Sequence, residues 1–291
     1  MKHTVFSQER LEKMRKFLRR MTSRKIVVFG LLGTMFFVIV AVFAPMIATC
    51  DPNEMAMMEK LADPSMEHLL GTDVYGRDIF SRVVYGSRVS LIIGVSSVLI
   101  AMAVGSLLGM LAAYNGGIVD SLLMRFCDAF RAIPQIAVTI SLVSIYGRSI
   151  ASMAVIMGIS AVPGFIRMMR ASSLATISSE YVLACRLQGE KPLKIMLKHI
   201  FPNSVSPIII MATQMVGGTI MMESGLSFLG IGISVPTASW GTMVNEARPF
   251  LLTHPLYCAA PCICIAVLIV SLNLLGDGIR DALDPTLRGA K

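Results

Sequence analysis

The sequence predicts an all-α integral membrane protein that crosses the bilayer six times. Apolar residues make up 55% of the 291 residues, charged residues only 15%, and the mean hydropathy is +0.71, values far from those of a soluble domain. The polar stretches are separated by long apolar runs, and a helix needs about 20 residues to cross the hydrocarbon core. No series of short alternating strands suggests a barrel, so the spans are expected to be helices whose backbone groups pair internally.

Five of the expected spans contain no Asp, Glu, Lys or Arg, and the sixth follows a polar helix. The charge-free runs are Ile26–Ala48, Val89–Asn115, Ser149–Ile166, Ser204–Met222 and Pro249–Gly276. The remaining apolar stretch, Ala132–Tyr146, is extended towards its N-terminus by a helix that carries Arg125, Asp128 and Arg131.

Two residue types predict how the spans bend and pack. Pro134 and Pro163 are expected to kink their helices, because proline removes a backbone donor. Gly105 and Gly109 form a small-xxx-small pair that lets two helix backbones approach closely. Either feature suits helices that move against each other, and either is equally compatible with static packing.

The positive charges predict the orientation in the membrane. With the N-terminus inside, residues 1–25, 114–131, 167–203 and 277–291 hold 20 of the 26 Lys and Arg residues. Since Lys and Arg concentrate in cytoplasmic loops, both termini are predicted to be cytoplasmic. A thiol reagent outside the cell should then reach a cysteine introduced at Ser239 but not one at Ser178. The net charge of +8 reflects this asymmetry, and no nucleic-acid surface is expected.

The chain divides into four predicted regions. These are a basic amphipathic tail (1–25), a first span with an external region (26–88), a five-helix core (89–279) with a cytoplasmic loop at 167–203, and a C-terminal tail (280–291). One face of the N-terminal tail is apolar, a pattern that predicts contact with anionic membrane lipid; its residues are Leu11, Met14, Phe17, Leu18 and Met21. The first span is too long for the apolar region of a signal peptide.

A basic, polar segment, Glu180–Asn203, lies between two apolar runs on the predicted cytoplasmic side and is called the polar segment below. It resembles the coupling loop of binding-protein-dependent ABC importer permeases, in which a Glu, small residues, a Gly nine positions on and a later apolar-Pro pair recur. Here the pattern residues are Glu180, Ala184, Gly189, Ile200 and Pro202. The resemblance implies that an ATPase grips this segment, with contacts from Glu180, Tyr181, Ala184, Arg186, Gly189 and Pro202.

A second polar stretch, His68–Arg82, precedes the second span on the external side and is called the cap segment. It crowds together Gly71, Asp73, Gly76, Arg77 and Asp78, which predicts a tight, hydrogen-bonded turn into an interfacial helix. Asp78 and Arg82 are four residues apart and are expected to pair on that helix. A structural role and direct contact with substrate are both open for these residues.

The cap segment resembles the dipeptide, oligopeptide and nickel branch of these permeases. Three further stretches carry the same resemblance: Tyr114–Asp120, Glu223–Gly232 with Ser239–Gly241, and Asn273–Pro285. Departures from the branch pattern are few, namely Cys185, Gln188, Glu190 and Lys191 around the glycine of the polar segment, and Cys262 in the last span.

This resemblance implies a type I ABC importer fold in a bacterial or archaeal inner or plasma membrane. The implied partners are a second, related permease subunit, two P-loop ATPases and an external solute-binding protein, and no cofactor is implied. The chain contains no Gly-Lys dipeptide and hence no phosphate-binding P-loop. Its four histidines are dispersed, and its six cysteines predict neither a metal site nor disulfides. The chain is therefore expected not to be an enzyme.

Polar residues of the fifth span are the candidates to line a translocation pathway, because polar groups inside a membrane usually face protein or water. They are Thr213, Gln214, Thr219 and Glu223, and hydration at the outer end is the alternative for Glu223. Peptide is the expected substrate and nickel or a metal chelate the alternative. An ion-coupled secondary transporter is the rival class, although neither inverted repeats nor a charged mid-membrane relay is visible.

Overall fold

The computed structural model describes residues 24–283. Within them the secondary structure is helical, apart from one isolated bridge between Thr72 and Asp78, which confirms the predicted all-α class. The predicted amphipathic tail lies almost wholly outside the described residues. The helices are α1 Lys25–Val42, α2 Ala44–Ile47, α3 Ile79–Asn115, α4 Gly117–Ala132, α5 Gln135–Tyr146, α6 Ile150–Ile177, α7 Glu180–Leu187, α8 Pro192–Ile195, α9 Phe201–Phe228, α10 Trp240–Ala247 and α11 Pro255–Leu283.

Five helical stretches are long and apolar enough to cross a membrane, and a bent pair forms the sixth candidate. The five contain α1, α3, α6, α9 and α11. Helices α4 and α5 meet at 87°. The break falls where Pro134 was predicted to kink the chain, because Ile133 before it takes an extended conformation and proline has no N–H to continue the ladder.

The two acidic side chains of α4 form ion pairs with arginines of α6. Arg170 forms an ion pair with Asp120, and Arg167 forms one with Asp128. Both arginines lie near the C-terminal end of α6, on the side to which the Lys and Arg distribution assigns the cytoplasm. The polar helix that precedes the third apolar stretch is therefore tied to its neighbour by charge.

Helix α3 begins ten residues earlier than its charge-free run suggested. It includes Arg82 and Arg88 and runs without a break through the boundary predicted between residues 88 and 89. Asp78 caps its N-terminus by accepting a hydrogen bond from the Ser81 N–H at 2.7 Å. Arg82 enters this helix because the external cap buries it, a contribution that a hydropathy scan does not include, whereas Arg88 is exposed.

Gly105 and Gly109 of α3 lie where this helix is in close contact with α6. A Cβ added at Gly105 would lie 3.0 Å from the Val162 carbonyl oxygen, and one added at Gly109 would lie 2.9 Å from Cβ of Met169. The predicted close approach of two backbones at these glycines is confirmed. Side chains at either position would push the helices apart.

The two ends of the described chain lie together. The Arg24 guanidinium is 2.7 Å from the Asp281 carboxylate, and a Cβ at Gly278 would overlap Val27. Helices α1 and α11 thus place both ends on one side of the membrane. The distribution of Lys and Arg identifies that side as the cytoplasm.

Thiol labelling of intact cells tests this orientation. Ser239 is unsuitable as the external position because it is buried and caps α10, so the predicted accessibility of this residue is wrong. Met58 is fully exposed in the external region and Leu187 is 82% exposed in the polar segment. In a background without native cysteines, a membrane-impermeant maleimide should label Met58→Cys and leave Leu187→Cys unlabelled until the cells are opened. The opposite pattern would reverse the orientation.

Candidate functional site

The polar segment begins with α7, a helix held at both ends by its own sequence. Ser179 precedes it in an extended conformation, and Glu180 places an acid in the first turn, where the helix dipole favours negative charge. At the other end Gly189 has φ +72°. Its N–H bonds to the Arg186 carbonyl, and the next N–H bonds to the Cys185 carbonyl, which together form a Schellman motif. The predicted sharp turn at this glycine is confirmed.

One side of α7 is anchored on the membrane-spanning helices. Val182 is fully buried and packs in an apolar cluster with Phe165 and Met169 of α6 and with Ile195 and Ile200 beyond the turn. The cluster also contains Met110 of α3. Val182 thus belongs to an apolar cluster that also includes residues of α3, α6 and α9.

Two polar contacts add to this anchorage. The Arg186 guanidinium lies 4.6 Å from the ring centroid of Tyr114, in cation–π geometry at the end of α3. The Asn203 amide donates to the Tyr181 hydroxyl at 3.1 Å and to the His199 carbonyl at 2.7 Å. These contacts connect α7 with α3 and with the first turn of α9.

The chain enters α9 through one π turn, Met196–Ile200. Pro202 accounts for this local widening, because it has no N–H to donate and its ring would clash with the carbonyl four residues earlier. The Phe201 N–H bonds instead to the Met196 carbonyl. The apolar-Pro pair thus fixes the geometry with which the polar segment joins the fifth span.

The opposite side of α7 is exposed and partly apolar. Glu180, Leu183, Ala184 and Leu187 follow the spacing of one helix face, and Leu187 is 82% exposed. Tyr181 and Arg186 are also exposed beside it. Two leucines on the solvent side of a short charged helix form a surface suited to a protein partner.

Glu190 and its neighbours form a charged cluster behind the Gly189 turn. Lys194 lies 2.5 Å from one Glu190 oxygen and His199 lies 3.2 Å from the other. The hydrogen bond from Lys194 lowers the pKa of Glu190, with smaller contributions from His199 and Lys198. The Glu190 side chain is therefore a carboxylate at neutral pH.

On the external side, the cap segment encloses a buried network of four charges. The carboxylate of Asp73 accepts from the Arg77 side chain at 2.5 Å and from the N–H groups of Tyr75 and Arg77. Arg77 also donates to Glu246 at 2.7 Å. Arg82 lies 3.6 Å from Asp73 and 3.7 Å from Glu246. Two arginines and two carboxylates balance, as buried charges require.

Both glycines of the cap segment are needed for its turns. Gly71 has φ +79° and Gly76 has φ +75°, a region that L-residues rarely adopt. A Cβ at Gly71 would overlap the Ala62 carbonyl, and one at Gly76 would overlap the Ala56 carbonyl. The tight, hydrogen-bonded turn predicted from the sequence is confirmed.

The expected Asp78–Arg82 ion pair is wrong. Asp78 caps α3 and also contacts the Thr49 hydroxyl at 3.2 Å and His68 Nδ1 at 3.0 Å. Arg82 instead donates to the carbonyls of Pro52 and Pro236 and faces the four-charge network. An Asp immediately before a helix serves as an N-cap, and that role directs its carboxylate away from the helix side.

His68 predicts a pH dependence of the cap. Burial lowers the pKa of His68, but its hydrogen bonds with Asp78 and Glu59 outweigh burial and raise that pKa above 6.5. A raised folded-state pKa stabilises the fold fully below pH 6.5, and this contribution disappears as the pH rises through the raised value. We expect His68→Gln to lower the thermal midpoint most at acidic pH. Equal effects of His68→Gln across the pH range would contradict the assignment.

The four pathway candidates divide into two environments. Gln214 is exposed and lies 3.4 Å from Asp277, and Thr213 is half-buried. Thr219 is buried and donates to the Met215 carbonyl. Glu223 is fully buried, and the alternative that it is hydrated at the outer end is therefore wrong. Its carboxylate accepts a hydrogen bond from Ser227 at 2.8 Å and lies 3.5 Å from the hydroxyls of Ser90 and Ser224. Pathway lining stays a prediction for all four.

Glu246 was missed in the sequence, and Trp240 was given only as part of the family resemblance, without a partner. Glu246 completes the charge network from a position 169 residues after Arg77. Trp240 is fully buried, and its indole N–H donates to the Val83 carbonyl at 2.9 Å. The available signals were an isolated acid in an external loop and the single tryptophan of the chain, and neither identifies its partner.

The structure therefore defines a helical membrane protein with a buried charge network in its external cap and a partly exposed helix anchored to three spans on the Lys- and Arg-rich side. Residues 105–289 match the family model of the binding-protein-dependent transport system inner membrane component, and residues 13–64 match the N-terminal TM domain of oligopeptide transport permease C. The chain belongs to this family of transport permeases. It is thus a multi-pass membrane subunit, and the rival class of ion-coupled secondary transporters does not apply.

The chain is similar over nearly its whole length to peptide permeases. It is 36% identical over 274 residues to the dipeptide transport system permease protein of Alkalihalophilus pseudofirmus, covering 94% of this chain and 90% of the relative. It is 37% identical over 275 residues to the glutathione transport system permease protein of Pectobacterium atrosepticum, covering 94% and 91%. A solved structure of the MetNI methionine ABC transporter in an inward-facing conformation superposes with TM-score 0.58 at 18% identity, covering 71% of this chain and 98% of that chain. This similarity supports the type I importer fold.

Proposed function

We propose that this chain forms half of the translocation pathway of an ATP-driven importer of short peptides and that its polar segment receives the motion of an ATPase partner. The observation that carries this proposal is the two-sided character of α7. Val182 anchors one side in the membrane-embedded cluster, whereas Leu183 and Leu187 leave the other side free for a partner. A helix of this kind converts the movement of a docked protein into movement of the spans.

The contacts of α7 indicate which spans would move. Arg186 connects it to Tyr114 at the end of α3, and Tyr181 connects it to Asn203 in the first turn of α9. The Gly189 turn, with open space around it, is the hinge between α7 and the entry into α9. ATP binding would draw two ATPases together and carry both α7 helices of a permease pair with them. The spans would then close the cytoplasmic side and open the external side.

The relatives support the proposed partners and substrate. A second permease subunit, two ATPases and an external binding protein would complete the importer. The relatives named above are a dipeptide permease and a glutathione permease, and glutathione is itself a tripeptide. Short peptides are therefore the substrate class that we propose, with nickel or a metal chelate as the alternative to be tested.

Transport in proteoliposomes tests this function. The chain, its partner permease, the ATPases and the binding protein would be reconstituted with ATP on the ATPase side. We expect uptake of a radiolabelled dipeptide that requires hydrolysable ATP and loaded binding protein and that unlabelled peptide blocks. Uptake of nickel that peptide does not inhibit would show that the substrate is nickel or a metal chelate and not a short peptide. Uptake driven by an ion gradient without ATP would overturn the function.

A further inference from the structure

Three side chains that bind metals well converge behind the Gly189 turn. Cys185 comes from α7, Glu190 from the residue after Gly189, and His199 from the π turn that leads into α9. Their ligand atoms all lie within 4.8 Å of one another. Sγ of Cys185 is 3.9 Å from Nε2 of His199, which is 3.2 Å from Oε2 of Glu190.

These separations are close to those of a tetrahedral zinc site. With zinc–sulfur and zinc–nitrogen bonds of about 2.3 and 2.1 Å, tetrahedral angles place sulfur about 3.6 Å from nitrogen, and a zinc-bound oxygen about 3.4 Å from nitrogen. The observed distances differ from these by a few tenths of an ångström, which side-chain rotation accommodates. All three side chains are partly exposed, so that a metal ion has access and a fourth position is open to water.

The environment of Glu190 provides a second observation. Its Oε2 atom is buried but has no hydrogen-bond donor, even though Nε2 of His199 lies 3.2 Å away. The two groups make no hydrogen bond. A buried acceptor without a donor is energetically costly, and a cation bound between the three side chains would satisfy it. Lys194 occupies the other carboxylate oxygen and leaves Oε2 free.

We propose that Cys185, Glu190 and His199 bind a zinc ion. Their softness and mixed sulfur, nitrogen and oxygen character favour Zn²⁺ over Mg²⁺ or Ca²⁺. On binding, the Cys185 thiol releases its proton to solvent, neutral His199 donates a lone pair from Nε2, and the Glu190 carboxylate donates one from Oε2. The thiolate and carboxylate together balance the two charges of the ion, and water fills the fourth position.

Zinc at this site would cross-link the polar segment. It would connect α7 to the π turn across Gly189, where no neighbouring atom lies within 4 Å of an added Cβ. Bound zinc would therefore restrict the hinge and slow amide exchange in residues 186–191. Any effect on the coupling of ATP hydrolysis rests on the proposed function, but zinc binding and amide exchange are measured on the chain alone.

A second group, Cys50, His68 and Asp78 on the external side, also lies within reach of one ion. Its ligand atoms are already used: Asp78 caps α3, and His68 contacts both Asp78 and Glu59. This group therefore provides the control for the experiment.

Cobalt substitution tests the proposal on the purified full-length chain in detergent. We expect Co²⁺ to give a thiolate-to-cobalt charge-transfer band that Zn²⁺ abolishes. Cys185→Ser should eliminate the band, and Cys50→Ser should retain it. Glu190→Gln and His199→Gln should each weaken Zn²⁺ binding by more than about tenfold, since even removal of an outer-shell partner costs that much. Size-exclusion chromatography establishes that each variant is folded.

Hydrogen exchange gives an independent readout. Zn²⁺ should protect residues 186–191 in the wild type and in Cys50→Ser but not in Cys185→Ser. The proposal is overturned if the wild type gives no thiolate band, if the band survives in folded Cys185→Ser, or if it is lost in Cys50→Ser.

Discussion

Gly189→Ala should abolish most peptide transport in the reconstituted importer without changing the affinity of the binding protein for substrate. The residue has φ +72°, and a left-handed conformation costs a residue with a Cβ about 1–2 kcal/mol. No atom of a neighbour lies within 4 Å of the added Cβ, so the cost comes from the backbone turn and not from a clash. The turn should open and shift α7 relative to α9. Gly189→Val should have the larger effect, because a β-branched residue tolerates positive φ least.

Gly147→Ala is the matched control for this substitution. Gly147 also has positive φ, +86°, and open space around its Cβ position, but it lies in the turn between α5 and α6 on the external side. Gly147→Ala should lose at least as much thermal stability as Gly189→Ala, because a ψ of 175° places Gly147 in a region that is essentially limited to glycine. Only Gly189→Ala should weaken ATPase docking or lose the stimulation of ATP hydrolysis by loaded binding protein. Equal transport in the two variants would show that the polar segment does not couple hydrolysis to transport.

Glu180→Ala should act in the same direction as Gly189→Ala, with a smaller effect. It removes a charge from the first turn of α7, where an acid stabilises a helix by about 0.3–1 kcal/mol. The expected result is reduced stimulation of ATP hydrolysis at normal abundance of the complex. If loaded binding protein stimulates ATP hydrolysis in this variant as in the wild type, Glu180 has no role in coupling and only the Gly189 turn keeps one.

Asp73→Ala should strongly lower the amount of folded protein. It would leave Arg77 and Arg82, both almost fully buried, with Glu246 as the single remaining carboxylate of the network. Removing one partner from a buried charge network costs about 3–5 kcal/mol, which is comparable with the stability of many proteins. The measurement is the monodisperse fraction in detergent, together with its thermal midpoint.

Asp63→Ala is the control, because Asp63 belongs to the same external region and is exposed. It should leave abundance unchanged. In the fraction of Asp73→Ala that folds, the apparent affinity for peptide should stay close to that of the wild type, since Asp73 has no access to substrate. A large loss of affinity at normal abundance would instead favour direct substrate contact by the cap segment.

Local chemistry made much of the fold predictable. Apolar runs located the spans, Pro134 located the break between α4 and α5, and Gly189 located the end of α7. Each of these features depends on residues within a few positions of one another. The bend of 87° and the early start of α3 depend on neighbouring elements, and no local pattern specifies them.

The candidate sites show the same limit. Asp73 and Arg77 were recognised as members of the cap, but Glu246, which completes their charge balance, is distant in the chain. Asp78 was assigned to Arg82 by helical spacing, whereas capping of α3 determines its actual partner. Cys185, Glu190 and His199 match no metal-binding spacing and meet only because the Gly189 turn and the π turn fold the chain back.

Photocross-linking from α7 tests the central claim most directly, namely that the polar segment is the docking site of an ATPase. A photoreactive amino acid would replace Leu187 in the assembled importer, and the same residue would replace Met58 as the external control; both positions are highly exposed. We predict that the Leu187 probe forms an adduct with an ATPase subunit and that the yield changes with ATP. The Met58 probe should form none with an ATPase. An importer that transports normally yet gives no ATPase adduct from Leu187 would contradict this account.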